Sequence, residues 1–220
     1  MRIACVYTTD DYETIEKPLA TSRDIPFGIS MIATLLKENH FEIDLLVVSR
    51  GTAIGNLIGG YIADKQPKLF CLSAVSSQFH MAERVARAVK EADPNIFVIL
   101  GGHHASLAPQ DAIQSPYLDA ICIGEGDQAV IELASHIASS AEPPTGIRNL
   151  WIKDRASGAI ERTPRLPFNE DLDSLPHIDR SMWDPWVVSP DQEVAVLVGR
   201  GCPYKCTYCS NHAMAVLSTG

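Results

Sequence analysis

Short apolar runs and longer amphipathic ones take turns along the first 140 residues. Residues 2–7, 42–47, 68–74, 96–100 and 119–123 are rich in Ile, Val and Leu with little polar alternation. That pattern predicts strands covered on both faces, because a strand with one wet face alternates. Between them, residues 27–39 carry Ile29, Ile32, Ala33, Leu35 and Leu36 on one helical face. Residues 52–64, 79–92 and 128–139 follow the same periodicity, with Met81, Val85, Ala88 and Val89 marking the third stripe. Five strand–helix repeats with short connections predict an α/β domain built on a doubly wound parallel sheet with right-handed crossovers.

Beyond residue 140 the pattern changes. Ala141-Glu142-Pro143-Pro144-Thr145-Gly146 is a cluster of helix and strand breakers, hence a boundary. Residues 149–153 and 159–163 read as a β-hairpin closed by a Ser-Gly turn. A Pro- and Asp-rich passage follows from 164 to 190, with no sustained period. It reads as a linker wrapping over a surface, anchored by Trp183 and Trp186. An apolar, β-branched run over 193–198 predicts one more strand, leading straight into Gly199-Arg200-Gly201-Cys202. The expected division is therefore 1–140, 141–192 and 193–220.

Composition narrows the partners. The chain is 46% hydrophobic and 20% charged, enough to bury a core, and carries a net charge of −9. An acidic surface argues against nonspecific binding to nucleic acid or to an anionic membrane. No apolar run approaches the ~20 residues of a membrane helix. The first residues lack a secretory signal's apolar core and cleavage site, so the expected location is cytoplasmic.

The six cysteines fall into two sets. Cys5, Cys71 and Cys122 each sit inside a separate apolar run and read as small buried hydrophobes. Cys202, Cys206 and Cys209 are packed into eight residues, and soft thiolates so close together suit a metal. Zinc normally takes four protein ligands, and His212 could complete a Cys3His site. Three thiolates without a fourth fit instead a cubane iron–sulfur cluster with one iron left open. Cys-x3-Cys-x2-Cys with Tyr208 before the last Cys resembles the signature of the radical S-adenosylmethionine superfamily. The preceding apolar run and Gly201-Cys202-Pro203 are similar to that family's first barrel strand and cluster loop. The resemblance implies a [4Fe-4S] cluster on Cys202, Cys206 and Cys209, with S-adenosylmethionine chelated by the remaining iron. It also implies reductive cleavage of the S–C5′ bond to a 5′-deoxyadenosyl radical, with Tyr208 near the adenine.

In a doubly wound sheet, ligands bind beyond the carboxyl ends of the strands. Those ends carry Ser73, Ala74 and Val75, then Gly101, Gly102, His103 and His104, then Gly124, Glu125 and Gly126. Glycine there either makes a tight turn or lets backbone approach a bulky ligand closely. No Gly-x-Gly-x-x-Gly follows the first strand, which disfavours a dinucleotide. Taken with Pro26-x-Gly28 and Leu172-Asp173-x-Leu175-Pro176, these loops resemble the cobalamin-binding domain that precedes many radical S-adenosylmethionine domains. The resemblance implies a Rossmann-like domain over 1–140 that holds cobalamin on those three loops. The Asp-x-His-x-x-Gly motif that supplies histidine to cobalt elsewhere is absent, so cobalamin would bind base-off or has been lost. His103 and His104 are either substitutes for that ligand or polar loop residues; Glu125 either caps the next helix or bonds cofactor amides. Bulky replacements at Gly102 or Gly126 are expected to weaken binding while the domain stays folded.

The resulting expectation is an enzyme of the cobalamin-binding radical S-adenosylmethionine type. It would catalyse methyl transfer or a radical rearrangement, reduced by a ferredoxin or flavodoxin. With only residues 193–220 assigned to the catalytic barrel, the chain is expected to be inactive alone. The alternative is a noncatalytic flavodoxin-like binding module with a zinc-binding Cys/His tail.

Overall fold

The structure is a computed structural model that describes residues 1–10 and 13–218. The last two residues of the 193–220 segment therefore lie outside the described residues. In chain order the first half contains β1 (Arg2–Thr9), β2 (Leu19–Thr21), α1 (Phe27–Glu38), β3 (Glu42–Ser49) and α2 (Ile54–Lys65). It continues with β4 (Leu69–Ser73), α3 (Phe79–Ala92), β5 (Phe97–Gly101), α4 (His103–Leu107) and α5 (Pro109–Gln114). Then come β6 (Ala120–Cys122), α6 (Asp127–Ser139), β7 (Leu150–Lys153), β8 (Ile160–Arg162), β9 (Val187–Ser189) and α7 (Asn211–Ser218).

The five expected strands pair in parallel in the order β3-β1-β4-β5-β6. Their side chains divide by strict alternation between two cores. Ala4, Val6, Phe70, Leu72, Val98 and Leu100 face α2 and α3, whereas Ile3, Cys5, Leu69, Cys71 and Ile99 face α1 and α6. Both faces are dry, which is why the strands show little polar alternation in sequence. The chain leaves β1 through α1 to β3 on one side and returns through α2 to β4 on the other. A crevice therefore opens at the carboxyl ends of β1 and β4, where the winding reverses.

The hairpin forms as expected, but it continues the main sheet. β7 pairs antiparallel with β6, and β8 with β7, making seven strands. Ile147, Leu150 and Ile152 are buried in the same core as Ile3 and Cys5. Covering β6 in this way removes an edge that would otherwise expose a full row of donors and acceptors.

The passage from 164 to 190 wraps over the α1 face. Trp183 is fully buried with its ring edge-on to Tyr7, centroids 6.0 Å apart. The indole of Trp186 donates to the Leu45 carbonyl at 3.0 Å. Lys37 and the Thr34 hydroxyl hold Asp179, one through its carboxylate and the other through its backbone N–H. β9 then pairs with β2 as a separate two-stranded parallel ribbon.

Residues 193–198, expected as a strand, form none. Neither sheet reaches them, and backbone without a partner strand has no ladder to join. Val196 is 73% exposed and Val198 98% exposed. No helix among the described residues is long and apolar enough to cross a membrane.

Candidate functional site

A cavity of about 1540 Å³ opens over the carboxyl ends of β1, β4, β5 and β6. Its floor is apolar, with Ile29, Ile32, Ile99 and Val130 joined by the Cys71 and Cys122 thiols. The three expected loops wall it: Ser73, Ala74 and Val75; Gly101, Gly102 and His103; Gly124, Glu125 and Gly126 all line it. Gly28, at the start of α1, lines the opposite side.

These loops are stitched to one another by hydrogen bonds. The Ala74 N–H donates to the Gly101 carbonyl at 3.3 Å, and the His104 N–H to the Ala74 carbonyl at 3.1 Å. Ser106, 3% exposed, donates to the Gly102 carbonyl and accepts from the Gly124 N–H. One hydroxyl thus ties the β5 loop to the β6 loop.

The two glycines expected to act alike do different things. Gly102 sits at φ +89°, and a Cβ there would lie 2.8 Å from the Ala74 carbonyl oxygen. Its missing side chain serves the approach of two protein loops, so the expectation of intact folding after replacement is corrected for this position. Gly126 has an ordinary φ of −97°, and a Cβ there would meet only the flexible end of Ile32 at 3.3 Å and the Cys122 sulfur at 3.5 Å. Gly102→Ala is expected to lower stability by about 2 kcal/mol or more through strain and collision. Gly126→Leu should leave the urea midpoint near wild type while obstructing the cavity. Equal urea midpoints for both variants would contradict this division.

His103 lines the cavity, but His104 does not. The latter is buried behind the loop, stacked on Phe79 at 4.0 Å, with Nδ1 3.1 Å from the Ser76 hydroxyl. Its Nε2 faces Asp111 at 3.3 Å. Those contacts give His104 a packing role, away from the cavity. His80 and His136 bond neighbouring backbone carbonyls, those of Ser77 and Glu142.

Glu125 is a junction. One carboxylate oxygen accepts from the Asn169 N–H at 2.7 Å and the other from Arg200 at 2.6 Å. Its carbonyl accepts from the Asn149 side chain. Arg200 also donates to Asp127 at 2.7 Å. Burial alone would lower the Arg200 pKa, but hydrogen bonds to Asp127 and Glu125 outweigh it and hold the value above the guanidinium norm. Sequence reasoning assigned no role to Phe168, Arg180 or Arg200, all of which line the cavity. Single residues in a linker or loop carry no periodic signal, and only contacts distant in sequence reveal them.

The cysteines divide by environment. Burial pushes the Cys122 thiol up to about 12. A hydrogen bond with Cys5, reinforced by burial, raises Cys71. Both remain protonated thiols, consistent with filling the core. Cys202 and Cys206 are exposed and Cys209 is half-buried. Cys202 lines the cavity, whereas Tyr208 is 91% exposed and stands outside it. Among the described residues no group of three or more His, Cys, Asp or Glu side chains is gathered as a metal site. The triplet supplies the right donor chemistry, three soft thiolates, without the assembled geometry.

A doubly wound sheet, parallel through its first five strands and with a large cavity at its switch point, is the architecture of a ligand-binding α/β domain. Residues 21–134 match the family model of the B12 binding domain. The chain belongs to that family. It is 30% identical over 194 residues to the anaerobic magnesium-protoporphyrin IX monomethyl ester cyclase of Rubrivivax gelatinosus, covering 84% of this chain and 34% of the relative. It is 28% identical over 160 residues to the cobalamin-dependent radical SAM methyltransferase TokK of Streptomyces tokunonensis, covering 70% of this chain and 23% of the relative. Its fold is similar to that of the radical S-adenosylmethionine methyltransferase TsrM of Kitasatospora setae, with a TM-score of 0.61 and 17% identity over 74% of this chain and 30% of that one. The chain spans less than half the length of the curated relatives it matches.

Proposed function

We propose that the chain binds a cobalamin in the cavity and is part of a radical S-adenosylmethionine enzyme of the cobalamin-dependent type. The carrying observation is the cavity itself, placed at the switch point of a B12-binding domain. At about 1540 Å³ it exceeds the roughly 300–1,000 Å³ of pockets that hold drug-sized molecules, as a corrin with its side arms requires. The apolar floor and the half-buried Gly101–Gly102 and Gly124–Gly126 loops that line the cavity suit a broad ligand rimmed by amides. Ser73, Ala74, Val75, His103 and Glu125 complete the contact set.

The domain division in this reading is 1–140 for the cobalamin-binding part, 141–192 for hairpin and linker, and 193–220 for the start of a radical S-adenosylmethionine domain. Cys202, Cys206 and Cys209 would hold a [4Fe-4S] cluster, with Tyr208 beside the S-adenosylmethionine adenine. When bound, these groups supply one-electron chemistry and a methyl carrier, for methyl transfer or a radical rearrangement. A ferredoxin or flavodoxin would serve as reductant in the cytoplasm. The relatives' activities belong to much longer proteins, and the 220 residues by themselves are expected to form no 5′-deoxyadenosine.

Two titrations test the reading. Wild-type protein should retain hydroxocobalamin through gel filtration, and Gly126→Leu should lose most of it. After anaerobic reconstitution with iron and sulfide, the protein should absorb broadly near 400 nm and bleach with dithionite. Cys202→Ala, Cys206→Ala and Cys209→Ala should each lose that iron, while Cys71→Ala keeps it. Hydroxocobalamin that washes off wild type as readily as off albumin would sink the cobalamin assignment. A colourless, zinc-loaded protein would sink the cluster.

A further inference from the structure

We propose that Arg200 is a positioning residue. Held by Glu125 and Asp127, it seats the segment carrying Cys202, Cys206 and Cys209 on the glycine loop that walls the cavity. The identity of what the cavity and thiols hold rests on the reading above; the contact does not.

Residues 193–201 run without helix or ladder, so side chains must fix their course. Among the described residues, contacts of Arg23, Arg180 and Arg200 do so. Arg23 pairs with Glu193, but both side chains are more than 60% exposed, where an ion pair is worth little. Arg180 donates to the Ala195 carbonyl at 2.8 Å, which locates the backbone five residues before Arg200. The Arg200 pairs differ in burial: the side chains of Arg200, Glu125 and Asp127 are 28%, 18% and 14% exposed. Charge-assisted hydrogen bonds withdrawn from water are the strong ones.

The receptor is oriented in advance. Glu125 and Asp127 flank Gly126, and the second Glu125 oxygen is already fixed by the Asn169 N–H. Two carboxylates so close repel unless one cation bridges them, and a single guanidinium nitrogen of Arg200 reaches both. Arg200 lies two residues before Cys202, whose side of the segment lines the cavity. The same carboxylate thus joins cavity loop, linker and thiol segment at one point. A flexible segment gains a defined start, and its first sulfur is brought to the cavity wall.

Chymotryptic cleavage after Tyr204 in the unloaded full chain tests the contact, because cleavage follows the population of the released segment. Arg200→Gln should be cut about tenfold faster, the scale of a lost charge-assisted hydrogen bond. Arg200→Lys, which keeps the cation, should recover much of the protection, and far-UV circular dichroism should show both variants folded. Arg200→Gln should also bind hydroxocobalamin more weakly than wild type. Equal cleavage of Arg200→Gln and wild type, or no recovery in Arg200→Lys, overturns the proposal. Wild type that fails to retain hydroxocobalamin while cleavage responds as expected overturns the cobalamin reading and leaves the positioning role standing.

Discussion

Asp119→Ala should unfold at a much lower urea concentration, with a loss of about 3–5 kcal/mol, the cost of breaking a buried ion pair from one side. Asp119 precedes β6, is 5% exposed, and pairs with two cations, Lys90 and Arg155. One oxygen accepts from the Val98 N–H at 2.7 Å and from Lys90, the other from Arg155 at 2.7 Å. Removing it leaves a backbone donor without its acceptor and a largely buried ammonium without its paired carboxylate, held only by backbone carbonyls such as that of Ile96 at 2.6 Å. Arg155 is 45% exposed, so Arg155→Ala should cost about 1 kcal/mol or less. Burial lowers the Lys90 pKa despite the pull of Asp119. A lysine that holds its proton less tightly when folded makes stability rise with pH, from the lowered value up to the ordinary lysine value. Without Asp119 the folded value drops further, so the deficit of Asp119→Ala should shrink as pH rises from the variant's lower folded value to the wild type's, and stay level above that. A loss below about 1 kcal/mol at neutral pH would show that the cluster is solvated.

Trp183→Ala should cost a further large amount, about 3–5 kcal/mol, and should also weaken hydroxocobalamin binding. The indole is fully buried against Tyr7 in the core shared with α1 and α6. It sits on the 3-10 turn Arg180–Trp186, directly after the stretch whose Leu172, Leu175, His177 and Arg180 line the cavity. Deleting it leaves a void and unpins that wall, so the two effects share one cause. Trp183→Phe keeps an aromatic edge at Tyr7 and should lose markedly less of both. Denaturation midpoints and cobalamin titrations on the two variants check this. Binding that survives Trp183→Ala unchanged, in protein that has lost the stability, would remove the linker from the site.

The parallel domain was legible because its signal is local and repeated. Each strand is buried on both faces and each helix on one, so periodicity reports burial directly: the expected 79–92 and the observed Phe79–Ala92 coincide. The glycine loops were legible for a related reason. They follow strands, and strand ends define the ligand side of a doubly wound sheet. The two sets of cysteines also separated correctly by surroundings, since apolar neighbours foretold burial for Cys5, Cys71 and Cys122.

By itself, then, the sequence determined the α/β class, the order of repeats, the loops at the switch point and the thiol triplet. Only the tertiary structure decided that the hairpin extends the main sheet and that residues 193–198 join no strand among the described residues. Pairing depends on which edge is free, and no local pattern records that. It also decided that Gly102 answers to Ala74 while Gly126 faces the cavity, that His104 packs on Phe79, and that Glu125 receives Arg200. These are contacts across tens of residues. A glycine, a histidine or a glutamate looks the same in sequence whichever neighbour the fold brings to it.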